Sequence, residues 1–298
     1  MTLEKLLKEK NDRLENIPLD LQTVVEKQQS KVLNGILDKL SKLKTINGQY
    51  KIDASNIRLI AEISDELKSV FLNKEYLSAV KDFSKEIEVQ ATLNDKIIKS
   101  TMGESPNPIA SEIYIQTAKQ NAVAALVETT QFIKPIQSLL ETAVINGASV
   151  AETFNSIKTF VEGSKEVDSQ ILKYAKQITN DSFAIADRSY TSIISDALQN
   201  DWYYYAGSTV KATRCFCDNR VDNYWHYKEI EAWGNGELLG DCNIGNGKWA
   251  GEMAGTNSST IYSFLGGYNC MHSLIPVSES IVSDSDIERV KKLGFIVL

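Results

Sequence analysis

All four cysteines and both histidines of this 298-residue chain fall between Cys215 and His272. Three of the four tryptophans lie in the same stretch, and the fourth, Trp202, stands just upstream of it. Before position 200, aliphatic side chains recur every three or four positions among lysine, glutamate, serine and asparagine. The chain therefore divides into a long part with the spacing of amphipathic helices and a small domain with its own composition.

Helical spacing of apolar residues predicts helices over most of the first 200 residues. We expect an interruption near Pro18, because a proline inside a helix removes a backbone hydrogen bond and crowds the preceding turn. The pair Asn47-Gly48 predicts a turn between two helical blocks. Ser149 and Glu152 match a capping box, which predicts that a helix begins there.

The clearest helix break lies in the segment 102–108, which contains Gly103, Pro106 and Pro108. Proline and glycine together interrupt helices, so we place a boundary in this segment. The predicted organisation is a helical region over 1–102, a second helical region over 109–200, and a compact domain over 201–298.

The compact domain has short elements rather than long helices. We expect strands over Thr209–Arg214 and Met271–Val277, and a helix over Lys228–Trp233. Residues 234–260 are rich in glycine, asparagine and serine and form a long loop. The predicted fold class is therefore α+β, with an elongated, mainly α-helical N-terminal region followed by a small, loop-rich α+β domain.

The composition, with 43% hydrophobic and 24% charged residues, is that of an ordinary soluble protein. No apolar run approaches the roughly 18 residues of a membrane span, and the charged N-terminus lacks a signal-peptide core. We therefore expect folding in a cytoplasm, where thiols are kept reduced, and favour free thiols or a metal site over disulfides. The net charge of -7 argues against a general nucleic-acid coat.

Three segments after residue 200 carry a more specific pattern: KATRCFC at 211–217, YWHYKEIEAW at 224–233, and the stretch 248–278. Its most specific parts are Thr213-Arg214 with Phe216-Cys217, and the run Gly266 to Cys270 followed by His272. The pattern resembles the C-terminal region of tailed-phage minor head proteins, the Mu F-like head morphogenesis family. The resemblance covers roughly the last half of the chain. Met271 is a departure, since many relatives have arginine there.

The resemblance implies a structural virion component, present in multiple but few copies, that binds the portal protein or the major capsid protein. Such a protein assists head assembly, DNA packaging or ejection, and lies in the capsid interior or at the portal vertex after assembly in the bacterial host cytoplasm. Two alternatives remain open. The chain is an internal protein that contacts genomic DNA and is ejected with it, or it is a Cys/His-dependent enzyme.

The cysteines and histidines form a candidate zinc site, because zinc binds four thiolate or imidazole ligands in a tetrahedron. Cys270 and His272, two positions apart on an extended segment, point the same way and supply one pair of ligands. Cys217 with His226, or Cys215 with Cys217, supplies the other. We predict that Cys217, His226, Cys270 and His272 come together, with zinc as the cofactor they would hold. Packing without a metal, and a disulfide formed after virion release, are the competing interpretations.

A catalytic interpretation makes Cys217 or Cys270 the nucleophile and a histidine the base, oriented by Glu229 or Asp218. No local protease signature surrounds either cysteine, so we expect no enzyme activity. The tryptophans beside Arg214 and Arg220 would also suit base stacking. Because acidic residues are interleaved with these arginines, we expect the tryptophans to form the core of the domain instead.

Overall fold

The computed structural model describes residues 1–105, 107–128 and 130–296. It confirms the α+β class, with a long helical N-terminal region and a small C-terminal part that contains a few short strands. Pro106, which belongs to the predicted break, lies outside the described residues. Among the helices that the structure describes, none combines the length and apolar character required to cross a membrane.

Within the described residues, long helices precede position 200: α1 (Leu3–Leu40), α2 (Ala54–Phe71), α3 (Lys74–Met102), α4 (Pro108–Val127), α5 (Thr130–Ile145), α6 (Val150–Glu162) and α7 (Gln170–Ala197). A hairpin of β1 (Thr45–Ile46) and β2 (Gln49–Tyr50) joins α1 to α2. Its turn residues, Asn47 and Gly48, have φ angles of 51° and 78°. Positive φ at both positions suits a tight hairpin turn, so the predicted turn is confirmed.

Two helix signals gave different outcomes. Ser149 accepts a hydrogen bond from the Glu152 backbone N–H and begins α6, as predicted. The predicted interruption near Pro18 is wrong, because α1 runs through this proline without a break. Leu14 and Leu21, on either side of Pro18, are buried. Their burial offsets the roughly 3 kcal/mol that a proline costs inside a helix.

The C-terminal part contains a three-stranded antiparallel sheet with strand order β4–β3–β5. Its elements are β3 (Trp202–Ala206), α8 (Cys215–Asp218), β4 (Tyr224–His226), α9 (Tyr227–Gly234), α10 (Ile261–Phe264), β5 (Ser273–Val277) and α11 (Asp284–Lys292). In the central strand, Trp202 lies opposite both His226 and Val277. The predicted helix over 228–233 and strand over 271–277 are therefore confirmed, apart from shifts at their ends.

The predicted strand over Thr209–Arg214 is wrong. The Thr213 backbone N–H donates to the Val210 carbonyl, and the Thr213 hydroxyl accepts from the Val210 backbone N–H. These two bonds close a turn, in which Thr213 uses a local partner instead of a neighbouring strand. The central strand is instead the aromatic segment that precedes the turn.

The chain forms two compact units, each made of separated segments. The first contains Met1–Ile17, Ser84–Ala122 and Asn180–Leu298, and the second contains Pro18–Phe83 and Val123–Thr179. The predicted regions 1–102, 109–200 and 201–298 are consecutive along the chain. The two units describe how the chain packs and do not test whether the three predicted regions are separate domains. The three regions therefore stay a prediction.

In the first unit, helices from early in the chain pack against the sheet. Leu6 of α1 forms a buried cluster with Leu93 and Ile97 of α3, and with Ala206 and Ile275 of the sheet. Burying such side chains stabilises the fold by about 1.5–3 kcal/mol each. The C-terminal sheet thus depends on apolar surface from residues far away in sequence.

A buried polar network joins the same segments of the first unit. The Lys10 ammonium, which is fully buried, donates to both Asp187 carboxylate oxygens at 2.5 and 2.6 Å and to Asn94 Oδ1 at 2.7 Å. Gln90, Asn94 and Ser273 also donate to the Asp187 carboxylate. A buried ion pair is tolerated when additional hydrogen bonds satisfy it in this way. Asp187 lies directly before Arg188, which contacts the site described below.

In the second unit, the hairpin is tied to the start of α6. The Tyr50 backbone N–H donates to the Ala148 carbonyl, and the Val150 backbone N–H donates to the Gly48 carbonyl. The Gln29 side chain of α1 donates to the Ser169 hydroxyl at 2.7 Å. These bonds satisfy polar groups in the loops between the helices of this unit.

Candidate metal centre

Three of the predicted ligands meet in the core of the C-terminal part. Cys217 Sγ lies 3.8 Å from Cys270 Sγ, and Cys270 Sγ lies 3.7 Å from His272 Nδ1. The three candidate ligand atoms all lie within 4.8 Å of one another. Cys217, Cys270 and His272 are only 2%, 2% and 7% exposed. The site is therefore a closed cluster of two thiols and one imidazole.

The spacing of these atoms matches tetrahedral coordination. A zinc ion with sulfur at about 2.3 Å and nitrogen at about 2.05 Å separates two sulfurs by about 3.8 Å, and a sulfur from a nitrogen by about 3.6 Å. The observed separations of 3.8 and 3.7 Å are close to both values. Two of the three ligand separations are thus already those that a shared metal ion requires, and the third is no more than 4.8 Å.

Cys217 reaches the cluster because it lies on a helix. Side chains two positions apart on an α-helix are rotated by about 200° around the helix axis, so they point to nearly opposite sides. In α8, Cys217 consequently points into the core, while Cys215 forms a disulfide with Cys242. The predicted alternative pair of Cys215 with Cys217 is therefore wrong, since it assumed an extended segment. The expectation that all the cysteines are reduced is also wrong for Cys215 and Cys242.

Cys270 and His272 lie directly before β5, and an arginine holds their backbone in place. The Arg188 Nη1 group donates to the Cys270 carbonyl at 3.0 Å and to the His272 carbonyl at 3.3 Å. Arg188 Nε donates to the Ser263 carbonyl at 2.7 Å. Arg188 is itself buried, so its charge lies beside the sulfur atoms and is poorly screened. Its hydrogen bonds fix the orientation of both residues.

Two glycines leave room for the cluster. A Cβ atom on Gly266 would lie 2.2 Å from Cys217 Sγ and 2.9 Å from Cys270 Sγ. A Cβ atom on Gly207, where φ is 149°, would lie 2.4 Å from His272 Cδ2. Any other residue at either position would push the sulfurs or the imidazole away. Position 266 must therefore be glycine, because a side chain there would displace Cys217 and Cys270.

The two free thiols share hydrogen bonding and influence each other's charge. A hydrogen bond from Cys217, with further contributions from His272 and Arg188, holds the pKa of the Cys270 thiol well below its usual value. The same hydrogen bond, together with burial, raises the pKa of the Cys217 thiol. The two thiols therefore titrate as one coupled pair rather than independently.

Two buried polar atoms around the cluster, His272 Nε2 and Arg188 Nη2, have no partner among the described residues. The Tyr205 hydroxyl interacts with the Cys217 thiol. Tyr205 is fully buried, its ring centroid lies 5.6 Å from that of His272, and burial raises its pKa well above the usual value. Buried polar atoms without partners are uncommon in native cores. The surroundings of the cluster therefore retain hydrogen-bonding capacity.

His226, the fourth predicted ligand, is not part of the cluster. Its Nδ1 atom accepts from the Lys228 backbone N–H and caps α9, while Glu229 completes a capping box. Its ring packs edge-on against Trp202 at 5.2 Å between centroids. Burial lowers the pKa of His226. The predicted four-residue set is thus reduced to three, because a strand–helix junction uses this histidine as a cap.

The carboxylates of the catalytic interpretation have other environments. The Glu229 carboxylate pairs with the Arg289 guanidinium at 2.9 Å, and Asp218 is exposed at the end of α8. Neither carboxylate orients His272 in this structure. The site therefore lacks the base-orienting carboxylate that we predicted for a cysteine nucleophile.

Arginine and aromatic side chains pack in the core rather than forming an open platform. The buried Arg220 guanidinium lies 4.0 Å from the Phe216 ring centroid and 4.4 Å from that of Trp233. Trp249, from the long loop, stacks on Phe216 at 4.2 Å. The loop over 234–260 is thus anchored by a buried indole, and the tryptophans at 233 and 249 are core residues, as expected.

Sequence reasoning did not identify Arg188 and Gly207 as parts of the site. Arg188 lies on a buried face of α7 with Phe183 and Ala184. An arginine among apolar residues at helical spacing is a usable signal, because an unpaired buried charge is costly. Gly207 ends the aromatic segment from Trp202, which the resemblance to phage head proteins includes, but the sequence did not assign it to the cluster.

No protein-family model, curated protein or solved structure matches this chain.

Proposed function

We propose that this chain is a structural minor head protein of a tailed phage, without enzyme activity, that binds the portal protein or the inner capsid. In this role it assists head assembly, DNA packaging or ejection. The proposal draws on the C-terminal sequence pattern and on one structural observation, which is that the residues of the pattern hold the domain together.

That observation concerns two segments far apart in sequence. Arg214 donates to the Tyr268 carbonyl, and the Tyr268 backbone N–H donates to the Gly251 carbonyl at 2.9 Å. Cys217 meets Cys270 over the backbone of Gly266. These residues of the sequence pattern are thus used for contacts inside the domain. An active site would instead need such residues at a surface that a substrate can reach.

An exposed apolar surface supports a docking role. Ile46, Ile52 and Ile57, around the hairpin of the second unit, are 56%, 70% and 40% exposed. Exposed aliphatic side chains can contribute to a surface that binds another protein. We assign this hairpin surface to the portal or capsid partner. The DNA-contacting alternative has less support, because Arg220 and Trp249 are buried.

The test is mass spectrometry of particles made from the genome that encodes this chain. We expect the chain in purified heads at a few copies, and we expect Ile52→Ser to reduce its incorporation. The control is Leu77→Ser, since Leu77 is also an exposed aliphatic residue, at 44%, but lies on α3. Heads that lack the chain, or that incorporate both variants equally, would contradict the corresponding part of the proposal.

A further inference from the structure

We propose that Cys217, Cys270 and His272 bind one zinc ion, which fastens the two ends of the C-terminal part to each other. The site excludes His226 and serves a structural role. The inference stands on the geometry of the cluster and does not depend on a function in phage heads.

The three ligands have the identity and the spacing that zinc favours. Thiolate and imidazole are the ligands that zinc favours in proteins. Two sulfurs at 3.8 Å and a sulfur and nitrogen at 3.7 Å can share one tetrahedral ion with little movement. Cys217 and Cys270 are both free cysteines, unlike Cys215 and Cys242. The ligand set is therefore available and its spacing fits.

The charges of the cluster also balance when zinc is bound. When zinc binds, both thiols lose their protons to solvent and two sulfur–zinc bonds form. Two thiolates, a neutral imidazole and Zn²⁺ have no net charge, so the core gains no unpaired charge. Arg188 donates to the carbonyls of both Cys270 and His272 and orients these ligands from behind.

The site joins two segments that are distant in the sequence. Cys217 and Cys270 are 53 residues apart, and the segment between them includes the long loop. A bond across such a segment restricts the unfolded chain strongly, which stabilises the folded form. Since Gly266 carries no side chain, the loop backbone can approach both sulfurs. The metal would therefore hold together a part of the domain that has few helices and strands.

Burial favours a structural role over a catalytic one. All three ligands are buried, which leaves a substrate no direct access. The described protein atoms supply three of the four ligands that a structural zinc site usually has. The Tyr205 ring lies in the same buried core cluster.

The experiment uses the full chain, produced in zinc-supplemented medium and purified without chelator. We expect about one zinc per chain by elemental analysis. The zinc is replaced by Co²⁺, and we expect the visible bands of tetrahedral cobalt together with a sulfur-to-cobalt charge-transfer band. Cys217→Ser and Cys270→Ser should each roughly halve that band per bound cobalt, or abolish binding. His272→Gln should lower the zinc content severalfold.

The matched control is His226→Asn, which removes the other histidine and preserves a capping side chain. It should retain zinc at the wild-type level. If the variants at the cluster do not fold, the wild-type chain alone still provides the test, since a chelator should lower its melting temperature.

Several results would overturn the proposal. They are wild-type protein without stoichiometric metal, copper or iron in place of zinc, or His272→Gln protein that retains full zinc. Mass spectrometry that finds Cys217 joined to Cys270 in freshly purified protein would also overturn it. These measurements on purified protein are independent of the virion assays.

Discussion

Replacing Lys10 with methionine should be one of the most destabilising single changes in the helical part of the chain. The substitution keeps the length of the side chain but leaves the Asp187 carboxylate buried without its counterion. Removing one partner of a buried ion pair costs about 3–5 kcal/mol. Such a loss is a large fraction of the roughly 5–15 kcal/mol that stabilises a typical domain.

The remaining hydrogen bonds set the size of this loss. Gln90, Asn94 and Ser273 still donate to Asp187 in the variant, so the carboxylate keeps polar partners. We therefore expect the lower end of the range, about 3 kcal/mol. The double variant Lys10→Met with Asp187→Leu should recover part of the loss, because it removes the unpaired charge.

The assay is urea unfolding followed by tryptophan fluorescence, which reports on the C-terminal part because all four tryptophans lie there. The matched control is Lys119→Met, since Lys119 forms a more exposed ion pair with Glu88 at 3.1 Å. Breaking that pair should cost less than about 1 kcal/mol. Equal losses for Lys10→Met and Lys119→Met would refute the reasoning about burial.

The same pair predicts a dependence on pH. Burial alone would raise the pKa of Asp187, but attraction and hydrogen bonding from Lys10, Asn94 and Gln90 lower it overall. A lowered pKa in the folded chain contributes stability above the unfolded value of about 3.9, and this contribution is lost as the pH falls. Without Lys10, burial raises the pKa of Asp187, so the stability difference between the wild type and Lys10→Met should narrow as the pH falls from the raised pKa of Asp187 in the variant to its lowered pKa in the wild type.

Three further predictions concern single sites and one deletion. Gly266→Ala should lower the melting temperature and the zinc content, whereas Gly35→Ala, where a Cβ meets nothing within 4 Å, should do neither. Burial raises the pKa of Asp181 to about 6, so urea midpoints should rise from pH 7 to pH 5 in the wild type and less in Asp181→Asn; equal pH responses would contradict this. Deleting residues 1–17 should lower the urea midpoint seen by tryptophan fluorescence, because Leu6 and Lys10 are lost. An unchanged midpoint would show that the sheet does not need α1.

The sequence by itself determined the features that depend on near neighbours. Apolar spacing was sufficient to predict helices such as α2 and α7, because one buried face repeats within each helix. Asn47-Gly48 and Ser149 marked a turn and a helix start, since their conformations and hydrogen bonds are local. The meeting of Cys217 with Cys270 was also predicted, from the concentration of ligand residues at the two ends of one small domain.

Only the tertiary structure decided the features that depend on distant contacts. The orientation of Cys217 away from Cys215 required α8 to be a helix, which the short sequence segment did not specify. His226 was placed by the pairing of β4 with β3, which gave it a capping role. Lys10 and Asp187 are 177 positions apart, and their ion pair exists because α1 and α7 both supply residues to the same core. The local sequence pattern does not predict such pairs. Their contribution to stability depends on tertiary packing, which both buries the two charges and brings them together.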